Sequence, residues 1–503
     1  MFATLVEKLN RRWRDPALPL FAVSTSTLLL IQQGAIFGDG LSVYETTRSL
    51  VHDADLSVPR GYGPQGPDGE HYSKYGIGLS LISLVPYLLA LPVAHIFGHG
   101  DLIEQAAVAS VMPIASGLLV VALYQLARRL GATPRSAVLV ALGVTLGTFV
   151  LPYTKEFFGE PVAALFLVIA IERALAGRPG WSATALAAAV LIRPPVAVLA
   201  PILLAVLIKQ RGWSTLRYAV PPLAVSAGVT LALNVVKFGS PTATGYTGFD
   251  LSEPGEENAS GAASPPSETF STPVLEGLET LLVDSKKSIF LFAPVVVLVP
   301  LALIALWRRG RRAAVVLLAG NLLAGSLLVA AWAFPDGGFC WGPRLLIPAV
   351  VPALAALAVW LEQGRSSAWL LAAVLALGLA VSAPAVVVSS TAQWIDVPRS
   401  TSPTVGRQYE LVVPASDYSV EHVGDRGRND YRRYLSFWQI GLLRELGWAG
   451  LLIAVPLSAM LALAAALSAR ALRRSLAHAE DSSGSANESR ERARLHGEFA
   501  RLH

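Results

Sequence analysis

A single cysteine, Cys340, stands among 503 residues, so neither an intramolecular disulfide nor a cysteine-based metal cluster can form. Charge is scarce as well: Asp, Glu, Lys and Arg together make up 15% of the chain, too little to coat a soluble domain of this size. In their place 53% of the residues are hydrophobic, which excludes an ordinary soluble globule and indicates a polytopic membrane protein. The net charge of +5 does not point to a nucleic-acid partner, because the arginines concentrate in short loops at the ends of apolar runs, where they orient helices. A cleavable signal is also missing. Lys8-Leu9-Asn10-Arg11-Arg12 precedes a full-length span with no small-residue cleavage pattern, so the first helix is expected to remain. No residue-level repeat is evident, and the symmetry of inverted-repeat transporters gains no support.

Arg11, Arg12 and Arg14 before a span at about 18–38 place the N-terminus in the cytoplasm and Asp39 outside. The next apolar run, about 75–97, decides the topology. If it crossed, the span at about 103–127 would return and leave Arg128, Arg129 and Arg135 outside. We therefore read 75–97 as a re-entrant or surface-lying helix on the outer side, a placement eased by Pro86, Pro92, His95 and His99. The remaining spans then fall at about 103–127, 133–152, 160–176, 181–192, 195–210, 216–236, 288–307, 313–333, 345–361, 367–389 and 446–469. That choice makes the loops at 128–135, 173–178, 209–217, 308–312 and 362–365, and the tail from Arg470, all cytoplasmic, and each carries Arg or Lys. The fold class expected is all-α, a membrane protein of about twelve transmembrane helices. Residues 1–389 form its main region, with external loops at 39–102 and 237–286. An external segment within 390–475 precedes the last span, and 476–503 is a disordered or loosely helical cytoplasmic tail. Arg193-Pro194-Pro195 breaks the short span at 181–192 near the outer surface, and a broken helix at that depth needs protein or a water-filled cavity around it.

A charged residue at a helix centre costs roughly 2.5–3.5 kcal/mol, so ionisable groups gathered at one face mark that face for chemistry. Asp39, between Gly38 and Gly40, can present a carboxylate at the hydrocarbon edge. Partial burial would raise its proton affinity towards that of a usable general base; the plain alternative is a solvated helix-end acid. Glu45 and Arg48 read as an ordinary exposed pair. Glu70, His71, Tyr72, Lys74 and Tyr75 place an acid, an imidazole, an ammonium and two phenols beside an apolar surface. Lys74 either meets a phosphate at headgroup level or anchors the next helix to anionic lipid. No recognised metal-ligand spacing includes His71, so a divalent cation stays open and unassigned. Glu156 and Glu160 flank the next span, and Glu160 at a helix N-terminus is favoured there by the helix dipole; its functional alternative is a second carboxylate facing Asp39 that orients the acceptor or holds a cation. Arg193 and Arg344 lie between apolar segments, where a planar guanidinium suits a bidentate grip on a phosphate; headgroup contact or a structural ion pair is the alternative. Trp332, Phe339 and Trp341 belong either to an aromatic belt or to a sugar-stacking surface.

In order along the chain stand Phe37-Gly38-Asp39-Gly40-Leu41-Ser42-Val43-Tyr44, Tyr72-Ser73-Lys74-Tyr75-Gly76-Ile77-Gly78 and Glu156-Phe157-Phe158-Gly159-Glu160-Pro161. Leu191-Ile192-Arg193-Pro194, Phe238-Gly239-Ser240-Pro241, Phe270-Ser271-Thr272-Pro273 and Trp341-Gly342-Pro343-Arg344 follow. This set resembles the GT-C superfamily of polyprenyl-phosphate-dependent glycosyltransferases, in particular the bacterial branch of protein O-mannosyltransferases and aminoarabinose transferases. The resemblance covers about 37 to 350. It implies inverting transfer from a lipid-phosphate sugar at the outer face of the bacterial cytoplasmic membrane, with both termini cytoplasmic. Asp39 is then the base and Glu160 an acceptor-orienting acid; on our reading of the residues, some of Lys74, Arg193 and Arg344 hold the donor phosphate. Substrate would be lined by Glu70, His71, Tyr72, Tyr75, Glu156 and Trp341. The acceptor would be a cell-envelope glycan, glycolipid or protein. The relatives also carry outer-surface helices between their first two spans, but their acidic-Pro-Pro signature before that helix is here Ser73-Lys74-Tyr75-Gly76. A transporter or flippase of lipid-linked intermediates is the rival class, and it predicts ionisable residues in mid-membrane. A membrane protein without an active site is the third.

Overall fold

The structure, a computed structural model, describes residues 15–98, 100–246, 269–338, 340–388 and 437–499, with side chains described as far as 479. Arg11, Arg12, Arg14, His99, Phe339, the middle of the 237–286 loop and nearly all of the 390–445 segment lie outside the described residues. The all-α, multi-pass class holds. Among the described residues seven helical stretches are long and apolar enough to cross a membrane, shorter apolar helices accompany them, and the only sheet is a two-stranded hairpin.

Helix α1 (Ala17–Leu30) is followed by α2 (Asp39–His52), strands β1 (Ser57–Val58) and β2 (His71–Tyr72), then α3 (Gly78–Phe97), α4 (Gly100–Ala109), α5 (Val111–Leu130), α6 (Pro134–Leu146), α7 (Gly159–Leu175) and α8 (Pro179–Ile192). Next come α9 (Leu199–Arg211), α10 (Leu216–Phe238), α11 (Val274–Leu282), α12 (Val299–Arg308), α13 (Arg312–Ala330), α14 (Ile347–Leu354), α15 (Arg365–Val387), α16 (Trp438–Leu446) and α17 (Ala449–Phe499). Helix α17 continues through most of the stretch expected to be a loose tail. The core lies along α5, α7 and α14, where most Leu, Val, Ile and Ala side chains are buried, Ile114 and Leu118 on α5 being exposed exceptions. Leu, Val and Ile on α3, α10, α13, α15 and α17 stay exposed, as expected where the surrounding solvent is hydrocarbon. The C-terminal carbonyls of α1 have no helical partner. They are met by α16: the Trp438 indole donates to Leu29 O and the Gln439 amide to Leu30 O, both at 2.9 Å.

The arginine-rich loops gather at one end of the bundle. Arg129 pairs with Glu172, Arg309 with Glu362, Glu362 accepts from Thr133 N, and the Arg211 guanidinium lies against Gly177. Residues 128–133, 172–178, 211, 309–311 and 359–362 therefore share one face, as their common sidedness in the sequence requires.

At the other end sits α3. By length it could cross, yet both its ends lie on the same side: Gly78 abuts Ile192 at the end of α8, and α4, which folds back along α3, brings the Gln105 amide oxygen to Ile36 N at 3.1 Å. Ser80 and Tyr87 pack it onto α2 through Val43 O and His52. Leu81, Val85, Leu88, Leu89 and Ile96 form its exposed stripe, the pattern of a helix lying in the interface.

Three expected spans are interrupted at this same end. The runs at 195–210 and 345–361 begin at 3-10 turns, Pro194–Val198 and Arg344–Leu346, and the run at 288–307 is broken after its first turn, Ile289–Phe292, by another at Pro294–Leu298. Prolines at 194, 294 and 343 explain the breaks, because each lacks a donor and biases the residue before it away from the α conformation.

Candidate active site

Asp39 is the first residue of α2, and Gly38 before it sits at φ 54°, ψ −130°, a region costly for any residue with a side chain. A Cβ on Gly40 would fall 2.7 Å from Phe157 O and 2.9 Å from Ile36 Cγ2, so glycine lets α2 seat directly on the 157–160 turn. That turn opens α7, with Glu160 in its first turn. Two helix N-termini thus meet, each carrying a carboxylate in the position the helix dipole favours.

The facing cations come from two broken helices. Arg193 is extended at φ −137°, ψ 91°, as a residue before proline prefers, which swings it out of the line of α8. Arg344 starts the 3-10 turn after Pro343. Arg344 Nη2 lies 2.5 Å from Asp39 Oδ2, Arg344 Nε 3.7 Å from Glu160 Oε1, and Arg193 Nη2 2.9 Å from the same Glu160 oxygen. Arg344 stacks 4.3 Å over Phe158 and Arg193 5.9 Å over Tyr75. Lys74 Nζ is 5.5 Å from the Tyr75 ring and 5.7 Å from that of Tyr246. The guanidiniums and Glu160 are almost wholly buried, whereas the Asp39 side chain keeps 30% of its surface open. Neither oxygen of Glu160 has a hydrogen bond of good geometry, so the carboxylate retains accepting capacity.

Burial alone would lift the Asp39 carboxyl, but Lys74 and Arg344 nearby, with hydrogen bonds from Tyr75 and Arg344, hold it well below the usual carboxylate range. The expected rise in proton affinity is therefore reversed in the unliganded site, because the carboxylate is neutralised by cations as well as desolvated. Lys74 is pushed down by burial and by Arg344 and Arg193, with Asp39 opposing. With Lys74 protonated, three cations face two carboxylates, and one positive charge is left over.

Asp39, Tyr75, Glu160 and Arg193 line a narrow pocket whose remaining wall is apolar, from Val43, Leu79, Phe157 and Phe158. On the far side of Arg193 opens a largely apolar groove lined by Leu167, Val196, Tyr246, Val329, Trp332 and Leu345. Tyr246, Trp332 and Phe270 pack edge to face at its mouth, with centroids 4.8 and 5.4 Å apart.

The structure thus brings Asp39, Lys74, Tyr75, Glu160, Arg193 and Arg344 together. Other candidates lie elsewhere. Glu70 is exposed on the hairpin, His71 Nδ1 is held by Gly63 O at 2.9 Å, and the Tyr72 hydroxyl is spent on Asp68 at 2.5 Å. Glu156 is buried beside Lys155. Trp341 is fully buried edge-on to Phe292 at 5.2 Å, with its carbonyl accepting from Tyr153; its ring is core and cannot stack on a sugar. Among the described residues no group of three His, Cys, Asp or Glu side chains could hold a metal ion. Both acids at the site are engaged by guanidiniums.

Sequence reasoning missed Tyr246 and three buried lysines. Lys237 donates to Ser73 O and Tyr75 O at 3.1 and 3.4 Å and so clamps the loop bearing Lys74. Lys287 donates to Gly338 O and Cys340 O at 2.6 and 2.9 Å, anchoring the turn that leads to Arg344. Lys155 reaches Val386 O at 2.5 Å.

No protein-family model and no curated protein matches this chain. Among solved structures it is similar to ArnT from Cupriavidus metallidurans in the apo state, at 14% identity and TM-score 0.46, over 95% of this chain and 78% of that one. It is similar to the same protein bound to undecaprenyl phosphate at 15% identity and TM-score 0.44, over 92% and 76%. Archaeal oligosaccharyltransferase AglB from Archaeoglobus fulgidus, in complex with an inhibitory peptide and a dolichol-phosphate, is similar at 13% identity and TM-score 0.45, over 84% of this chain and 61% of that chain.

Proposed function

We propose that this chain is a multi-pass glycosyltransferase that moves a sugar from a polyprenyl-phosphate donor to an acceptor hydroxyl, inverting the anomeric centre. One observation carries the reading: the buried guanidiniums of Arg193 and Arg344, with Lys74 beside them, stand at the junction of a narrow pocket holding Asp39 and Glu160 and a largely apolar groove, both lined by Arg193. A lipid phosphate satisfies both sides of that junction, its chain in the groove and its anion on Arg193, Arg344 and Lys74. The ordered motifs shared with GT-C glycosyltransferases support the same assignment. The arginine-rich opposite end favours an outward-facing site in the bacterial cytoplasmic membrane, with both termini inside.

The resting state of Asp39 suggests how the donor switches it on. An arriving phosphate competes for Arg344 and Lys74, and each contact it draws away returns proton affinity to Asp39. The loaded carboxylate then takes the proton of an acceptor hydroxyl as its oxygen attacks the anomeric carbon from the face opposite the phosphate. The bond from that carbon to the phosphate oxygen breaks, and the electron pair leaves on the phosphate. Charge growing on the leaving group is met by guanidiniums already in place, the arrangement in which electrostatic stabilisation is largest. Glu160, between the two arginines, fixes their orientation and keeps free lone pairs for the acceptor. The acceptor is a cell-envelope glycan, glycolipid or protein.

Purified protein given a radiolabelled polyprenyl-phosphate sugar and envelope acceptors should release free polyprenyl phosphate and label an acceptor. Donor that crosses liposomes intact, with no release, would favour the flippase and overturn the assignment.

A further inference from the structure

A cleft wider than either the Asp39 pocket or the groove beside it lies at the opposite end of the bundle from Asp39 and plays no part in the reaction above. Helix α7 runs from Glu160 to Leu175, α8 returns from Pro179 to Arg193, and α9 leads away again to Arg211, so the 176–179 turn and the 211–218 corner sit together at the far face. Over the 14 residues of α8 the separation is about 21 Å. The cleft is lined by Arg178, Trp181, Arg211, Ser214, Thr215 and Tyr218.

Three features point to an anionic ligand there. No acidic residue lines the cleft, and Glu172 on the adjoining end of α7 is taken by Arg129 and Arg173, both at 3.0 Å. Arg178 and Arg211 enter no ion pair among the described residues. The Arg211 guanidinium is nonetheless placed: it lies over the turn at Gly177, where a Cβ would fall 2.1 Å from its Nη2. A third cation, Arg217, stacks 4.7 Å from the Tyr218 ring at the rim.

Two further features say that the anion belongs to a lipid. Trp181, Trp213 and Tyr218 stand 70%, 74% and 52% exposed around the cleft, as ring systems do at headgroup depth. Below them on α10, Val220 and Val225 are exposed and continue the surface into the hydrocarbon zone, where an acyl chain would lie. We infer that this cleft binds the phosphodiester headgroup of an anionic glycerophospholipid in the leaflet opposite the active site, with Arg178 and Arg211 as its two guanidinium contacts.

The test is native mass spectrometry of the full chain in detergent, titrated with phosphatidylglycerol or phosphatidylcholine. Wild type should bind phosphatidylglycerol about tenfold more tightly than phosphatidylcholine, and R178Q/R211Q should lose that preference, about 1.4 kcal/mol. Gly177→Ala keeps every charge but places a methyl against Arg211; it should lower phosphatidylglycerol affinity in the same direction. Size-exclusion profiles and retained turnover with the lipid-linked donor would show that the variants are folded. Equal binding of both lipids by wild type, or an unchanged preference in folded R178Q/R211Q, would overturn the inference. So would inorganic phosphate that binds and displaces the lipid at equal concentration, because the site would then be one for a soluble anion.

Discussion

Replacing Asp39 by Asn separates the two roles proposed for its carboxylate. Its oxygen lies 2.5 Å from Arg344 Nη2, so on the proposed mechanism the substitution removes both the base and the anion that competes with the donor phosphate for that guanidinium. Loss of a positioned general base lowers turnover by about 10²–10⁴. The ion pair is worth at most about 4 kcal/mol at the effective dielectric of a protein surface. Solvent at the open part of the carboxylate screens much of that, and the competition removed is about 1.4 kcal/mol, a tightening of about tenfold in donor affinity. Folding stability should fall by about 2 kcal/mol for the lost charge-assisted hydrogen bond. The assay pairs single-turnover transfer with equilibrium binding of the polyprenyl-phosphate sugar. Asp39→Asn should bind donor at least as well as wild type while barely turning it over. Wild-type turnover, or lost donor binding in a folded variant, would refute the reasoning.

Other consequences are as definite. Because the folded Asp39 carboxyl sits below its unfolded value, its contribution to stability is complete above about pH 4 and is lost only as pH falls towards the folded value. The free-enzyme profile, kcat/KM against pH, should therefore show no Asp39 limb between pH 5 and 8, whereas kcat, which reports the loaded site, should show an acid limb at higher pH. Glu160→Gln removes the anion shared by two buried guanidiniums and should destabilise the chain by up to about 3–5 kcal/mol, read by thermal unfolding. Lys237→Met should raise KM for the donor more than it lowers kcat, since it frees the loop carrying Lys74 and touches no reacting atom; Lys237→Arg should restore part of the loss. Trp332→Ala opens the aromatic mouth of the groove and should weaken donor binding while leaving Asp39 chemistry intact, checked by the same pair of assays.

The parts of this site legible in the sequence are those whose cause is local. Gly38 before Asp39 and Pro194 after Arg193 dictate their own backbone, and a guanidinium between apolar runs has few uses, so these residues and Arg344 could be placed by reading along the chain. Sidedness was legible for the same reason, since each arginine-rich loop closes its own pair of helices. Residues whose partners are remote were not legible. Lys155, Lys237 and Lys287 spend their ammonium groups on backbone carbonyls 231, 164 and 53 positions away, and a carbonyl leaves no mark in a sequence. Trp341 failed as a sugar platform although it stands three residues from Arg344, because the turn between them sends one inward to Phe292 and the other to Asp39. Tyr72 and Lys74 part in the same way: the hairpin pins the phenol to Asp68 and releases the ammonium into the cluster. Proximity in sequence was a poor guide to the site wherever a turn intervened.

A density map of the full chain with a bound polyprenyl phosphate tests the central claim most directly. The account predicts the phosphate within hydrogen-bond reach, about 3 Å, of Arg193 and Arg344, with Lys74 facing it, the prenyl chain in the groove past Trp332, and Arg344 drawn away from Asp39. A phosphate seated elsewhere, or one that leaves the Asp39–Arg344 contact untouched, would contradict it.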